Sequence, residues 1–345
     1  MTTANVAVLG ATGAVGQRFV RLLQDHPWFR LTEVVASGRH AGETYGDAVH
    51  WIEGTIPANA QDLPLRALED DLDADVCFSA LPGGSAGPIE RALADRGHNV
   101  FTNARDLRLA ADVPLVVPEV NPEHLALVEL QRRTRDGFVV ANGNCTAIIL
   151  ALALKPLVDD FGVDRCSVVS LQALSGAGYP GVSSIDITDN VLPFIEGEEE
   201  KVETEIPKIL GELAGGAVAP SRLAVSATCT RVPVLEGHTV AVSVHLQERA
   251  SIDDLCATFA SFSGKPQRLR LPSAPGRPIL VRRENDRPQP RKDRDAGGGM
   301  SVTVGRVRED PVLGWKFLVT GSNTIRGAAG ASILNAELAI ADGLL

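Results

Sequence analysis

The sequence predicts an α/β chain in two parts: a parallel sheet with helices on both faces, then an α+β domain on an open, largely antiparallel sheet. Three observations predict it. Over the first third of the 345 residues, short apolar runs alternate with stretches of helical spacing, the pattern of strand–helix–strand units. Beyond about residue 160 apolar residues recur with period two, as on half-buried strands. A glycine-rich turn joins the first strand to the first helix. The length accommodates two domains and a large core.

The elements follow in order. NVAVLG (5–10) is a strand running into the glycine turn, and AVGQRFVRLLQDH (14–26) has helical spacing. RLTEVVAS (30–37), DADVCFSALP (73–82), NVFTN (99–103), PLVVPEV (114–120) and GFVVAN (137–142) read as further strands. GPIERALADRG (87–97) and the region of PEHLALVELQRR supply helices between them. A helix from Thr146 to about Asp160 closes the parallel series. DRCSVVSLQAL (164–174), HTVAVSVHLQ (238–247) and MSVTVGRVR (300–308) then alternate as strands, with WKFLVTG (315–321) a further one. The Pro- and Arg-rich segment 277–299 reads as an extended connection, either a solvated face or a subunit contact, and 324–345 as a final helix. The division is therefore 1–144 plus 323–345 for the first domain and 145–322 for the second.

Composition narrows the function. Hydrophobic residues at 44% and charged residues at 22% are ordinary for a globular chain. The formal charge of −10 argues against general nucleic-acid binding but permits a small cationic pocket. No apolar run reaches the roughly 18–20 residues that span a membrane, and MTTANVAVLG has no signal-peptide pattern. The five cysteines, Cys77, Cys145, Cys166, Cys229 and Cys256, are widely spaced without a CxxC, which suggests neither a disulfide framework nor a metal site. A reducing cytoplasm is the expected setting.

In VAVLGATGAVGQRF, Gly10, Gly13 and Gly16 lie between a strand and a helix. The spacing is GxxGxxG, but the physics is that of a dinucleotide loop: backbone close to a pyrophosphate and a helix N-terminus facing the anion. The second strand ends in Ser37 and Arg39, where an NAD site usually carries an acid. A hydroxyl and a guanidinium suit a 2′-phosphate, which favours NADP.

Cys145 stands between Asn142-Gly143-Asn144 and a run of helix formers. A helix N-terminus stabilises a thiolate, so this cysteine is the candidate nucleophile. Such a nucleophile needs an acid/base partner. Of seven histidines, His238 is the best placed, after a glycine at the mouth of a strand with Arg231 just upstream.

The motifs GATGAVG, SGRHAG, NGNCT, SLQALSGAGYPG, EEEKVETEIPKILG, CTRVPVLEGHT, LPSAPGRPI, DRPQPRKDRDAG and SNTIRGAAGASILNAEL run in this order from residue 5 to the C-terminus. Together they resemble the aspartate-β-semialdehyde dehydrogenase family, in the branch typical of archaea and fungi. The resemblance implies a Rossmann-type cofactor domain plus a catalytic and dimerisation domain. It makes Cys145 the nucleophile, His238 the acid/base and Gln172 the orienting amide. It gives Glu205 and Arg231 to the ammonium and carboxylate of the substrate, and Arg108 and Lys208, assisted by Lys201, to its phosphate. Thr12, Gly13, Ala14 and Val15 match the pyrophosphate loop, Ser37 and Arg39 the 2′-phosphate site, and Ser175, Gly176 and Asn323 the nicotinamide surroundings.

The implied reaction is NADP-dependent reductive dephosphorylation of L-4-aspartyl phosphate to L-aspartate 4-semialdehyde, with phosphate released and no metal. A thioester on Cys145 is the intermediate, and a backbone N–H at the start of its helix is an expected oxyanion donor. The family forms dimers or tetramers. This chain departs from the family in carrying His40 and Glu43 where a serine and a lysine are common, which sets an acid near the expected 2′-phosphate site. A related acyl reductase, acting on malonyl-CoA or N-acetylglutamyl phosphate, is the alternative; malonyl-CoA has no α-ammonium for the acid–arginine pair.

Overall fold

The computed structural model describes residues 3–345, with the backbone but not the side chain of Arg39. The chain divides into two compact units. The first takes the chain up to Val116, Glu123–Asn142 and Ala328–Leu345; the second holds Val117–Pro122 and Gly143–Gly327. The segment 117–122, expected in the first domain, thus clusters with the second unit, as do residues 143–144 and 323–327.

The first unit is built on seven strands: β1 (Ala4–Leu9), β2 (Phe29–Ala36), β3 (Leu65–Ala67), β4 (Val76–Ser79), β5 (Asn99–Thr102), β6 (Leu115–Val116) and β7 (Phe138–Asn142). Their order is β3-β2-β1-β4-β5-β7-β6, with every pairing parallel. The central strands are apolar on both faces, and all of Val76–Ser79 and Phe138–Asn142 are buried, as a sheet covered on both sides requires. The strand order reverses direction beside β1, the topological switch point at which doubly wound sheets bind ligands. PLVVPEV yields only the two-residue edge strand β6, shorter than its sequence suggests. The terminal helix Gly330–Ala341 packs on β5 and β7, and His26 Nε2 reaches Glu337 Oε1 on it at 2.9 Å.

The second unit opens with the helix Cys145–Phe161, long, apolar and buried through its middle turns. Its main strands are β8 (Val163–Gln172), then, after a small antiparallel ribbon of β9 (Glu212–Ala214) and β10 (Ala217–Ala219), β11 (Ala224–Arg231), β12 (His238–Leu246), β13 (Ile279–Arg282), β14 (Val302–Asp310) and β15 (Gly314–Gly321). They form one sheet in the order β11-β8-β12-β15-β14-β13. Its centre is antiparallel, while the edge strands β11 and β13 pair in parallel, so the sheet is mixed. Along β8, Cys166, Val168, Ser170 and Gln172 are buried while Ser167, Val169 and Leu171 are exposed. The helices Cys145–Phe161, Glu198–Ile209 and Ile252–Ser261 pack against this sheet.

The segment 277–299 is not an extended connection. It contains β13 and a short helix, Pro290–Asp293. Asp293 is buried there and accepts from Arg287 Nε at 2.8 Å and from Gln289 N at 2.7 Å, while Arg283, Glu284, Asp286, Arg291, Lys292 and Asp295 stay exposed. Among the described residues, no helix is long and apolar enough to cross a membrane.

Candidate active site

Cys145 is the first residue of its helix, and Asn144 caps it. Asn144 Oδ1 accepts from Thr146 N at 3.0 Å and Ala147 N at 3.2 Å. Those two amides are thereby committed to the cap. Asn144 also ties the helix start to the helix Glu198–Ile209: its N donates to Glu205 Oε2 at 2.5 Å and its Nδ2 to Glu198 Oε2 at 3.0 Å. Cys145 is half-buried, whereas the other four cysteines are buried. Its Sγ stands at a helix start, where the dipole favours negative charge.

His238 is the first residue of β12, and its Nε2 lies 3.3 Å from Cys145 Sγ. Its Nδ1 accepts from Ala173 N at 3.0 Å. An acceptor nitrogen carries no proton, so this hydrogen bond assigns the neutral imidazole its proton on Nε2, towards the sulfur. Burial, with the Arg231 guanidinium second, pushes the pKa of His238 down to about 3, against a smaller opposing pull from Glu198. Gln172 Nε2 donates to Glu198 Oε2 at 3.1 Å, and Lys201 Nζ bonds Glu198 Oε1 at 2.6 Å. Burial raises the Glu198 pKa, but Lys201, Asn144 and Gln172 outweigh it and hold the carboxyl below its ordinary range. Arg231 is buried at the end of β11, with Nη1 on Ala173 O at 2.8 Å.

One sulfur, one imidazole, an amide, a carboxylate and two cations therefore converge in the second unit. The sequence reading named Cys145, His238, Gln172, Arg231 and Lys201. It did not name Glu198; Glu205, which it did name, is buried with its carboxylate accepting from Asn144 N, one residue before Cys145. Glu198, Lys201, Glu205 and Lys208 recur three or four residues apart, on one helical face. That spacing was the available signal, but it does not say which acid meets the cluster. Lys208 is buried on this face. Arg108 belongs to the first unit, its Nη2 on Asn103 O at 2.8 Å.

Ser175 and Asn323 bond one another, with Asn323 Nδ2 donating to Ser175 Oγ at 2.9 Å, and Asn323 Oδ1 accepts from Gly237 N at 2.9 Å. Gly176 follows Ser175 and packs beside Arg231 and His238.

The glycine turn of the first unit follows β1. Gly10 has φ +73°, and a methyl group on Gly16 would stand 2.1 Å from Gly10 O. Gly13 precedes the helix Ala14–Leu22, which has no acid in its first turn. Thr12 O accepts from Gln17 Nε2 at 2.9 Å. A bare, close turn feeding the positive end of a helix fits a pyrophosphate. Ser37 is exposed after β2, the Arg39 side chain lies outside the described residues, and His40 Nδ1 pairs with Glu43 Oε1 at 3.1 Å. Among the described residues, no group of three or more His, Cys, Asp or Glu is placed to hold a metal.

Comparison with known proteins extends the geometry. Family models described as "Semialdehyde dehydrogenase, NAD binding domain" and "Semialdehyde dehydrogenase, dimerisation domain" match residues 5–128 and 154–326. An aspartate-semialdehyde dehydrogenase of Archaeoglobus fulgidus is 53% identical over 99% of each chain. The chain belongs to the aspartate-semialdehyde dehydrogenase family. A crystal structure of the Candida albicans aspartate-semialdehyde dehydrogenase with NADP superposes with a TM-score of 0.92 at 41% identity, covering 100% of both chains. A Vibrio cholerae aspartate-semialdehyde dehydrogenase II complexed with ASA gives 0.80 at 28% identity over 99% of both. Membership makes this chain an oxidoreductase with a nicotinamide-dinucleotide-binding domain and a dimerisation domain. It also bears out the resemblance and the two-part fold read from the sequence.

Proposed function

We propose that the chain carries out the reversible, NADP-dependent reductive dephosphorylation of L-4-aspartyl phosphate to L-aspartate 4-semialdehyde, a cytoplasmic step towards lysine, threonine, methionine and isoleucine. The observation that carries this reading is the 3.3 Å contact between Cys145 Sγ and His238 Nε2 at a capped helix start, beside a buried carboxylate and guanidinium suited to an α-amino acid. The relatives favour this substrate over malonyl-CoA or N-acetylglutamyl phosphate.

The Cys145 sulfur attacks the side-chain acyl carbon; a C–S bond forms, and the C–O bond to phosphate breaks with its electron pair on the leaving oxygen. The product is a thioester on Cys145. The Gly10–Gly16 loop, with Ser37 and Arg39 towards the 2′-phosphate, would hold NADPH, which would supply the hydride that the thioester needs. The C–S bond then breaks, the aldehyde leaves and the thiolate returns. His238 holds its Nε2–H against the sulfur and the oxygen on which charge develops, a fixed donor in a dry site. Accepting a proton at Nε2 would require the Ala173–Nδ1 bond to open. Gln172 orients the nucleophile and Glu198. Arg231 takes the α-carboxylate, and Glu198 rather than Glu205 takes the ammonium. Lys201 and Lys208 are the cations the second unit offers to phosphate.

The test is phosphate-dependent reduction of NADP and NAD, side by side, by the purified protein with aspartate semialdehyde. Cys145→Ser is expected to lower kcat by at least about 1000-fold. Glu198→Gln is expected to raise KM for the semialdehyde by roughly 30-fold, the lower end of the cost of unpairing a buried charge, and Glu205→Gln to leave it within about threefold, since Gln still accepts from Asn144 N. Reduction that does not require phosphate overturns the reaction; the opposite ranking of the two glutamates returns the ammonium to Glu205.

A further inference from the structure

Two glycines press on the reactive pair without entering its chemistry. A methyl group on Gly327 would stand 2.6 Å from Cys145 Cβ and 3.0 Å from its Cα, well inside the roughly 3.5 Å at which carbon atoms rest against each other. One on Gly176 would stand 2.6 Å from Arg231 Nη1, 3.0 Å from His238 Cε1 and 3.1 Å from His238 Nε2. Neither backbone is free to retreat. Gly327 N donates to Ser322 O at 2.9 Å. Its neighbour Arg326 is fully buried, with Nη1 and Nη2 on the Glu119 carboxylate at 3.0 and 2.5 Å and Nε on Met300 O at 2.6 Å. Gly176 follows Ser175, which Asn323 holds at 2.9 Å; the same Asn323 takes Gly237 N at 2.9 Å, one residue before His238. Asn323 thus couples the segment bearing Gly176 to the start of the strand bearing His238.

We propose that Gly176 and Gly327 are positioning residues. Bare backbone at these two points lets the sulfur and the imidazole meet, and Asn323 and the Arg326–Glu119 pair hold that backbone in place. The inference rests on Cys145 and His238 being the reacting pair. A methyl at Gly327 drives the Cys145 main chain and Cβ, which have no flexible end to yield. At Gly176 it drives a ring and a guanidinium already committed to Ala173. A displacement near 1 Å at a reacting centre costs on the order of 100-fold in rate.

The experiment compares full-length Gly176→Ala, Gly327→Ala and, as control, Gly276→Ala, where a methyl meets nothing within 4 Å. It reads the melting temperature, kcat and KM with aspartate semialdehyde, and the alkylation rate of Cys145 by iodoacetamide across pH. The four other cysteines are buried, which confines the fast reaction to Cys145. The first two variants are expected to lose about 100-fold in kcat, with KM for the semialdehyde within about threefold, and to shift the Cys145 alkylation rate by roughly tenfold. The control should match wild type. Folded variants with wild-type kcat and alkylation overturn the proposal. If Gly176→Ala does not fold, Asn323→Ala replaces it; if Gly327→Ala does not, Arg326→Lys keeps the charge but loses the fork on Glu119. A drop in kcat of about tenfold supports the proposal in either case, and an unchanged kcat sinks it. A wild type that is alkylated at Cys145 but idle towards aspartate semialdehyde overturns the substrate assignment instead, and the alkylation arm then decides this proposal alone.

Discussion

His238 shows how one hydrogen bond fixes what a side chain can do. Its Nδ1 is occupied by Ala173 N, and a second proton would have to enter a fully buried ring beside Arg231. An unfolded histidine titrates near 6.5, while burial and then Arg231 lower the folded value to about 3. Between those values the unfolded chain binds a proton that the folded chain refuses. Stability from this group is whole above pH 6.5 and declines as pH falls towards 3, by at most about 1.4 kcal/mol per pH unit. Urea unfolding from pH 8 to 4 should therefore show a steeper acid loss for wild type than for His238→Asn, with the two nearly parallel above pH 7. Equal acid slopes would mean that the ring is protonated in the folded protein. The sequence displayed Cys145 and His238 because each stands at the start of a regular element next to a glycine or an asparagine. It did not separate Glu198 from Glu205. Both lie on the inward face of one helix, and only the packing of that helix decides which carboxylate reaches Gln172 and which is used up on a backbone amide.

The helix Glu198–Ile209 also explains a charge run that resembles a solvated surface. Glu199 Oε1 accepts from Cys229 N at 3.0 Å and Glu203 Oε1 from Ala227 N at 2.9 Å. Four residues of helix rise about 6 Å and two residues of strand about 6.6 Å, so the pairs match in spacing. The acids satisfy outward amides of the edge strand β11, groups that otherwise invite pairing with another chain. Replacing both by alanine should cost roughly 2–6 kcal/mol, from two part-buried amides left unpaired, with kcat unchanged because neither carboxylate belongs to the Cys145 cluster. A calorimetric loss under about 0.5 kcal/mol, the ordinary scatter of surface substitutions, would show that water serves these amides equally well. β11 itself was not legible in the sequence: Ala224–Arg231 is a run of small and polar residues whose partner is the helix, not a core. The strands whose one face is core, β8 and β12, were plain from their alternation. The segment 277–299 misled in part, since Arg282 and Arg287 gather on the buried Asp293 while most of its other charges stay on the surface.

At the scale of the whole molecule, what remains is the open face of the mixed sheet. The helices of the second unit pack against this sheet, yet Val169 is 42% and Leu171 36% exposed on β8, with Ser167 beside them. Apolar side chains in a row on a central strand are costly to leave in water, at roughly 25 cal/mol per Å². The family model for a dimerisation domain spans residues 154–326, which takes in this entire sheet. A second copy laid face to face on it would bury the row symmetrically, since a two-fold axis matches the same patch on both subunits. The expected outcome is that wild type sediments as a dimer or a tetramer, and that Val169→Asp combined with Leu171→Asp moves it towards smaller species at micromolar concentration. The doubly substituted chain should keep its far-ultraviolet circular dichroism, because neither side chain contributes to the core beneath the sheet. A variant that sediments like wild type would place the self-association surface elsewhere on the chain, and a monomeric wild type would remove the need for one.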